Sequence, residues 1–543
     1  MNRPELLDFS RERIRMLHFT WIAFFISFYI WFNMAPLATT MLREVGWLTT
    51  EHLKILAICN VALTIPARIL VGALIDRFGP RIVFSGLLIL MAFPTFVFAF
   101  GNSFTQLLVA RLVLGSVGAS FVIGIRMVSQ WFPPNMIGRA EGFYAGWGNF
   151  GSAWAAITLP WIALTVMYQW FGMTEDGWRW ALFVNGLVAL VYGVVYYFVV
   201  RDTPKGIAFV GAKKMQPMEV SSYKDLVQYL LWSFPLVGAL GLLAWRLHMV
   251  ELPGEDNGGG SFLPVEYLYL IFAVLGIVYI IHTIKTLQVN LPILRRGVPE
   301  SEKYPFSSVA ALNMTYIANF GAELAVVSML PAFFESTFIV GPEFAGLIAS
   351  SFAFVNLVAR PLGGLISDKM HNRKLVMSIY MLGITGGFAT MGFITGVWPI
   401  WVAVAVTILC SFFVQGAEGA TFAIIPLIKK RMTGQIAGMA GAYGNVGAVL
   451  YLVVYSYVDG STFFFILAAG AAVSFLFCLV FLKEPKGAFD TQLDYGAEQT
   501  AGSAAVARGQ AMRGERELPV DGATAHPQNN TTVTEQDTVE GEQ

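Results

Sequence analysis

The chain has 543 residues, of which 56% are hydrophobic and 13% are charged. Soluble domains carry roughly 25% charged residues, so this composition excludes a soluble globular protein and predicts an integral membrane protein in contact with lipid. The formal net charge is zero, which argues against nucleic acid as a partner. Cys59, Cys410 and Cys478 lie in apolar stretches. We interpret them as small core residues and expect no disulfide, metal or cofactor.

Fourteen apolar stretches are long enough to cross a hydrocarbon core of roughly 30 Å, which requires about 20 helical residues. In chain order they cover 17–40, 52–75, 82–101, 105–131, 138–168, 178–200, 225–250, 265–288, 307–335, 343–367, 374–396, 399–427, 434–457 and 461–482. The first is too long for a signal peptide and has no small-residue cleavage site after it. The predicted fold class is therefore an all-α membrane protein with fourteen transmembrane helices.

The basic residues predict the orientation of these helices. If both termini are cytoplasmic, the inner loops and flanks hold 23 Lys and Arg, whereas the outer loops hold two, Arg43 and Arg179. Basic residues concentrate on the cytoplasmic side of membrane proteins. We therefore expect both termini to lie in the cytoplasm. We also expect the protein to lie in the inner or plasma membrane of the cell.

The end of the chain differs from the rest in composition. From Gly487 onward it is polar and carries ten acidic and three basic residues. Such a segment cannot bury enough apolar surface to fold alone. We predict that 485–543 is a disordered acidic tail on the cytoplasmic side, available to a regulatory partner.

Two motifs occur twice, which indicates a duplicated chain. Arg, Gly and Asp recur at i, i+4 and i+8 as Arg68, Gly72 and Asp76 and as Arg360, Gly364 and Asp368. A Gly-Asn-x-Gly motif contains Asn149 in the first case and Asn445 in the second, and the asparagine follows the arginine by 81 and 85 residues, respectively. The predicted organisation is a cytoplasmic N-terminus at 1–16, a six-helix half at 17–200, linkers with two inserted helices at 201–306, a second half at 307–484, and the tail.

These motifs resemble those of a known family. The segment from Gly72 to Arg81 resembles the loop signature of the major facilitator superfamily, and Arg111-Leu-Val-Leu-Gly115 resembles its second motif. The paired Gly-Asn-x-Gly helices with paired arginines are similar to those of the nitrate/nitrite porters, especially the bacterial and cyanobacterial proton-coupled permeases. The similarity covers 17–484 apart from the inserted helices, and it implies the major facilitator fold. The residues expected to gate the inner loops are Asp76, Arg77, Arg81, Asp368 and Lys369.

The two arginines suit a small planar anion. A guanidinium within a membrane helix costs about 2.5–3.5 kcal/mol on insertion scales, so Arg68 and Arg360 need compensation. A purely structural alternative is pairing with Asp76 and Asp368. The occurrence of both arginines at equivalent depth instead favours an anion held between them. The planar donors of arginine fit the coplanar oxygens of nitrate, and the Asn149 and Asn445 amides add neutral donors.

The resemblance implies further residues of the site. Tyr316, Phe320 and Phe121 match the tyrosine and the two aromatic residues of the family's pocket, and Phe28 is a first-helix candidate. Most of the motif glycines are expected to serve close helix packing. Gly148 and Gly444, beside the asparagines, are expected also to admit the anion against the backbone.

Two glutamates are candidates for proton coupling. Glu323 and Glu418 lie within predicted membrane helices, where carboxyl groups carry protons in many transporters. The alternative is a structural role, for example as partners of Arg111. The inserted helices contain no comparable polar cluster. We expect them to pack against the bundle without lining the pathway, with Arg246 and His248 at the outer edge.

The function predicted from the sequence is import of nitrate and nitrite by alternating access with protons as the coupling ion. The alternatives are a nitrate/nitrite antiporter, a carrier of another small anion, and a nitrate receptor that signals through its tail. An enzyme is not expected, because the short loops contain no nucleotide-binding loop, metal cluster or nucleophile–base pair.

Overall fold

The computed structural model of the protein describes residues 8–132, 134–173, 175–205, 216–250, 261–370, 372–429 and 432–484. The side chains of Asp76, Ser301, Asp368 and 134–138 also lie outside this description. The tail predicted at 485–543 is likewise outside the described residues.

Fourteen helices of the described chain are long and apolar enough to cross a membrane, which confirms the predicted fold class. They are α1 (Glu12–Glu44), α2 (Thr50–Ile75), α3 (Pro80–Phe100), α4 (Phe104–Trp131), α5 (Arg139–Trp170), α6 (Gly177–Val199), α7 (Tyr223–His248), α8 (Val265–Arg296), α9 (Phe306–Phe338), α10 (Pro342–Ser367), α11 (Arg373–Gly392), α12 (Ile400–Ile428), α13 (Thr433–Tyr455) and α14 (Gly460–Phe481). We call the side on which α1 begins and α14 ends the terminal face, and the other side the opposite face.

Helix α8 is longer than predicted, because it continues to Arg296 rather than ending near residue 288. Its last turns are polar and bind a neighbouring segment of the chain. The Asn290 amide donates to the Met218 carbonyl at 3.0 Å, and its oxygen accepts from the Val220 N–H at 2.8 Å. These hydrogen bonds hold the extra turns of α8 against Met218 and Val220. A hydropathy pattern does not predict contacts of this kind.

The two six-helix groups, α1–α6 and α9–α14, repeat the same pairings. Helix α3 packs on α6 as α11 packs on α14, and α1 packs on α5 as α9 packs on α13. Across the junction between the groups, α5 packs on α10, and α2 packs on α13. The helices that carry the arginines, α2 and α10, therefore both lie at this junction.

Several helices depart from regular α geometry near the junction. Turns at Leu63 in α2 and at Val355 in α10 each precede the helical arginine by five residues. Residues Ile317–Gly321 of α9 form a π-helical turn, a feature that often occurs at functional sites. These irregularities lie where the two groups meet.

The inserted helix α7 packs mainly on the second group. The Tyr443 hydroxyl donates to the Trp232 carbonyl, and the Phe306 N–H donates to Asp225 Oδ1 at 3.0 Å. Helix α8 packs mainly on α7, and most of its surface is exposed. The inserted pair is thus attached to the second group through α7.

At the opposite face, however, α7 also reaches the first group through Arg246, which is buried. Arg246 Nη2 lies 2.8 Å from Glu51 Oε1 of α2, and its Nε donates to Ser456 Oγ at the end of α13 at 3.1 Å. The guanidinium also lies 4.9 Å from the centre of the Tyr457 ring. The sequence placed Arg246 at an outer edge without a role, whereas the structure shows it joining the two halves.

Replacing Glu51 with glutamine is expected to lower the thermal midpoint of the purified protein by a few degrees. The change leaves the buried Arg246 without its carboxylate, and an uncompensated buried charge is destabilising, although Glu51 itself is 58% exposed and the pair is partly screened. Melting in detergent measures the effect. Glu266→Gln, at an exposed position on α8, is the matched control, and equal midpoints for the two variants would contradict the expectation.

Candidate functional site

Arg68 and Arg360 meet between the same two phenylalanine rings. The Arg68 guanidinium carbon lies 5.6 Å from the centre of the Phe121 ring and 5.9 Å from that of Phe320. The corresponding distances for Arg360 are 5.9 and 5.8 Å. A cation within about 6 Å of an aromatic ring is stabilised by the electrons of its face. Both guanidiniums therefore occupy one aromatic-framed site, with one ring contributed by each half.

The two arginines differ in their partners. Arg360 Nη1 lies 2.5 Å from Glu418 Oε2, and its Nη2 donates to the Tyr316 hydroxyl at 3.2 Å. Both members of the Arg360–Glu418 pair are buried. Arg68 is also buried, and no acidic side chain of the described residues pairs with it. Among the described residues, therefore, Arg360 has a carboxylate partner in this site and Arg68 does not.

Three aromatic residues that the sequence analysis missed complete the frame. Phe422 of α12 lies 5.6 Å from Phe121 and 5.5 Å from Tyr316, measured between ring centres. Tyr144 stacks on Phe24 at 4.7 Å. In the first helix, the Phe24 ring lies 5.8 Å from the Phe121 ring, whereas the Phe28 ring packs against those of Phe24, Trp31 and Phe32. Helical register alone could not distinguish Phe24 from Phe28.

The two motif asparagines are both buried. The Asn445 amide donates to the Gly441 carbonyl at 3.3 Å, and its side-chain oxygen accepts no hydrogen bond from the residues that the structure describes. Neither polar atom of the Asn149 side chain has a partner among the described residues. A buried amide without partners is costly, so these atoms are available to a ligand.

A glycine determines how closely α13 approaches Arg68. A Cβ added to Gly441 would lie 2.6 Å from Arg68 Nη1, so a side chain there would displace the guanidinium. Gly148 and Gly444 face aromatic rings instead: an added Cβ would lie 1.9 Å from Phe24 and 2.5 Å from Phe320, respectively. The packing expected of these glycines is present, and their contact with an anion remains a prediction.

Glu323 and Glu418 are the two fully buried carboxylates of the described chain. Glu323 Oε1 accepts from the Asn356 amide at 2.6 Å. Arg111 is not their partner. It donates to Asn33 Oδ1 at 2.9 Å, with further bonds to Asn60 and the Trp31 carbonyl. The structural role considered for the glutamates therefore does not involve Arg111.

The predicted gating residues lie at the terminal face. Arg77 and Lys369 are exposed, and the side chains of Asp76 and Asp368 are outside the described residues. The Arg81 N–H donates to Asp202 Oδ1 at 2.6 Å. Gly79 has a positive φ of 82°, and a Cβ there would lie 2.8 Å from the Asp202 carboxyl carbon, so glycine is required on both counts.

The sequence analysis missed Asp202 and its counterpart, Glu484. Glu484 accepts from the Arg373 N–H at 3.0 Å and from the Lys374 N–H at 2.8 Å, so each acid binds the start of the third helix of its own half. Carboxylates are favourable at helix N-termini. The sequence contains a signal for this pair of acids. In both halves a basic and then an acidic residue follow the sixth helix, as Val200-Arg201-Asp202 and as Leu482-Lys483-Glu484.

The duplication also extends further than the two motifs. Arg68 and Arg360 are 292 residues apart, and the same separation relates Phe24 to Tyr316, Phe28 to Phe320, Trp31 to Glu323, and Thr64 to Asn356. Equivalent positions thus provide aromatic residues in both halves. The buried acid Glu323, in contrast, corresponds to a tryptophan.

Comparisons with known proteins agree with this architecture. The sequence profile of the Major Facilitator Superfamily matches residues 20–295 and 312–513. A protein of Nostoc punctiforme named nitrate/nitrite transporter NrtP is 45% identical over 504 residues, which cover 92% of this chain and 98% of that relative. The NrtP of a Picosynechococcus species is 46% identical over 527 residues, covering 90% and 96%.

Among solved structures, the Escherichia coli xylose transporter XylE in a partially occluded inward-open conformation matches with a TM-score of 0.57. It is 16% identical and covers 88% of this chain and 99% of its own, so this likeness concerns the fold alone. The relatives are named as transporters, and the chain is a membrane transporter rather than an enzyme. It belongs to the major facilitator superfamily and, within it, to the nitrate/nitrite porter family.

Proposed function

We propose that this protein imports nitrate and nitrite by alternating access and that protons drive the import. The observation that carries the proposal is the meeting of Arg68 and Arg360 between the Phe121 and Phe320 rings. An anion between the guanidiniums removes their mutual repulsion and fills their free donors. The names of the relatives, which are 45% and 46% identical, supply the identity of the anion.

The site favours a planar oxyanion of low basicity. Nitrate stays unprotonated near neutral pH and spreads its charge over three coplanar oxygens, which matches the planar donors of arginine. The Asn149 amide nitrogen, which has no partner among the described residues, supplies a neutral donor.

Glu418 provides a route from proton binding to anion binding. While it is charged, it neutralises Arg360 at 2.5 Å and competes with the anion for the same guanidinium. A proton on Glu418 removes this competition and frees Arg360 for nitrate. Proton and anion therefore assist each other's binding, as linkage between two sites requires.

Orientation follows from the distribution of charge. We place the terminal face in the cytoplasm, because basic residues dominate its loops. Polar contacts join the two halves at the opposite face, for example Lys54 Nζ to the Val458 carbonyl at 3.2 Å and Thr165 to Glu343 at 2.7 Å. This arrangement corresponds to a state that is closed to the outside, and import requires these contacts to open.

Uptake into liposomes tests the proposal. Purified protein is reconstituted into vesicles that contain neither nitrate nor nitrite, and nitrate entry is followed with and without an inward proton gradient. We expect accumulation that requires the gradient and is reduced by external nitrite. Entry that ignores the gradient but appears once nitrite is loaded inside would instead establish the antiporter, and stronger competition by formate or oxalate than by nitrite would indicate a carrier of another anion.

A further inference from the structure

Asn356 lies beside Glu323, a candidate for proton coupling, and on α10, the helix that carries Arg360. It follows the turn at Val355, is fully buried, and precedes Arg360 by four residues on the same face of α10. Its carbonyl oxygen approaches α5 of the other half so closely that a Cβ on Gly146 would lie 2.7 Å from it. The residue therefore connects the junction between the halves to the interior of the second half.

The side chains of Asn356 and Glu323 contact each other, and each has one more oxygen that can take part in a hydrogen bond. Asn356 Nδ2 donates to Glu323 Oε1 at 2.6 Å, while Asn356 Oδ1 and Glu323 Oε2 are both buried and have no partner within the described part of the chain. A carboxylate only accepts hydrogen bonds, whereas a protonated carboxyl also donates one, and an amide does both. The amide is thus a partner for Glu323 with or without its proton, because a rotated amide presents Oδ1 to the protonated acid.

Other charged groups surround this pair. Arg360 of α10, Glu418 of α12 and Tyr316 of α9 all interact electrostatically with Glu323. One segment of α10 therefore contacts both buried acids, Glu323 through Asn356 and Glu418 through Arg360. A shift of this segment during alternating access alters both contacts together.

The equivalent pair in the first half performs no such task. Thr64 corresponds to Asn356 and donates to the Gly115 carbonyl at 2.5 Å. Trp31 corresponds to Glu323 and donates to the Asn60 carbonyl at 2.6 Å. The titratable residue and its amide partner therefore occur together in the second half, and the first half has neither.

We propose that Asn356 is the positioning residue of Glu323: it holds the carboxyl group in one place in both protonation states and thereby sets the pH range of proton-driven uptake. This inference rests on the proposed function as a proton symporter. It assigns Asn356 no contact with the anion. Its effect is therefore expected on coupling rather than on the exchange of nitrate across the membrane.

The test compares Asn356→Leu and Asn356→Thr with the wild type in liposomes. Leucine has the same branching at Cγ but lacks polar atoms, whereas threonine is the residue of the first half and keeps a donor and an acceptor. We expect the pH of half-maximal gradient-driven uptake to move up by about one unit in Asn356→Leu, because a charge-assisted hydrogen bond to the carboxylate is lost. Exchange of nitrate without a gradient should stay within about twofold, and Asn356→Thr should recover part of the shift.

A double variant keeps the result interpretable. In a Glu323→Gln background, Asn356→Leu should cause no further change in the pH profile, because the group that it positions no longer titrates. An unchanged profile in Asn356→Leu, or a loss of exchange parallel to the loss of uptake, would overturn the inference. If Asn356→Leu cannot be purified folded, Asn356→Ala replaces it. A wild type that ignores the gradient would overturn the proposed symport itself.

Discussion

Replacing Arg68 with lysine is expected to reduce the catalytic efficiency of nitrate uptake by about 10- to 100-fold, mainly through a higher KM. Lysine keeps the charge but loses the planar pair of donors, and a charge-assisted hydrogen bond contributes about 1.5–3 kcal/mol, where 1.4 kcal/mol is a factor of about ten. Arg360→Lys should have at least as large an effect, because Arg360 also binds Tyr316 and Glu418. Initial rates of uptake over a range of nitrate concentrations measure both.

The matched control is Arg295→Lys, which makes the same change at an exposed position in the last turn of α8. This variant should take up nitrate at the wild-type rate. Wild-type kinetics in Arg68→Lys and Arg360→Lys would remove the basis for an anion held by two guanidiniums, since charge alone would then suffice.

Replacing Glu418 with glutamine is expected to abolish gradient-driven accumulation, lowering it to the level seen with a collapsed gradient. Glutamine cannot release a proton, so the return step of symport is blocked. Exchange of nitrate for nitrate should persist, and its KM should fall several-fold, because Arg360 is no longer neutralised at 2.5 Å. Parallel measurements of accumulation and exchange in the same vesicles separate the two effects.

The same variant should depend on nitrate for stability. Removing one member of a buried ion pair leaves the other charge uncompensated, at a cost of about 3–5 kcal/mol. A bound anion replaces the missing carboxylate, so nitrate should raise the thermal midpoint of Glu418→Gln more than that of the wild type. Glu266→Gln serves as the exposed control. Accumulation by Glu418→Gln at the wild-type level would show that this carboxyl carries no coupling proton.

The fold was predictable because each membrane helix is a contiguous apolar stretch of the sequence. Helix length follows from the bilayer, and all fourteen predicted spans are confirmed. The main discrepancy is the end of α8. The last turns of this helix are held by hydrogen bonds from the Asn290 side chain to the linker, and a hydropathy pattern does not predict such bonds. Arg246 was misjudged for a related reason, because its partners Glu51 and Ser456 are distant in sequence.

The site was predictable only in part. Duplication identified Arg68 and Arg360, because a charge that recurs at equivalent depth in both halves indicates a shared role. The partners of these charges were not accessible, because interhelical contacts depend on the rotation of each helix about its axis. The sequence offered Arg111 as a partner for the glutamates, whereas Glu418 binds Arg360. Asn356 was overlooked because the equivalent residue in the first half is Thr64, so the asparagine does not recur in the duplicated sequence.

An experimental map of the protein purified with nitrate tests the central claim most directly. We expect a flat density feature between the guanidinium groups of Arg68 and Arg360, flanked by the Phe121 and Phe320 rings and absent from a map obtained without nitrate or nitrite. An empty site at saturating nitrate, with the anion located elsewhere along the junction of the halves, would contradict it.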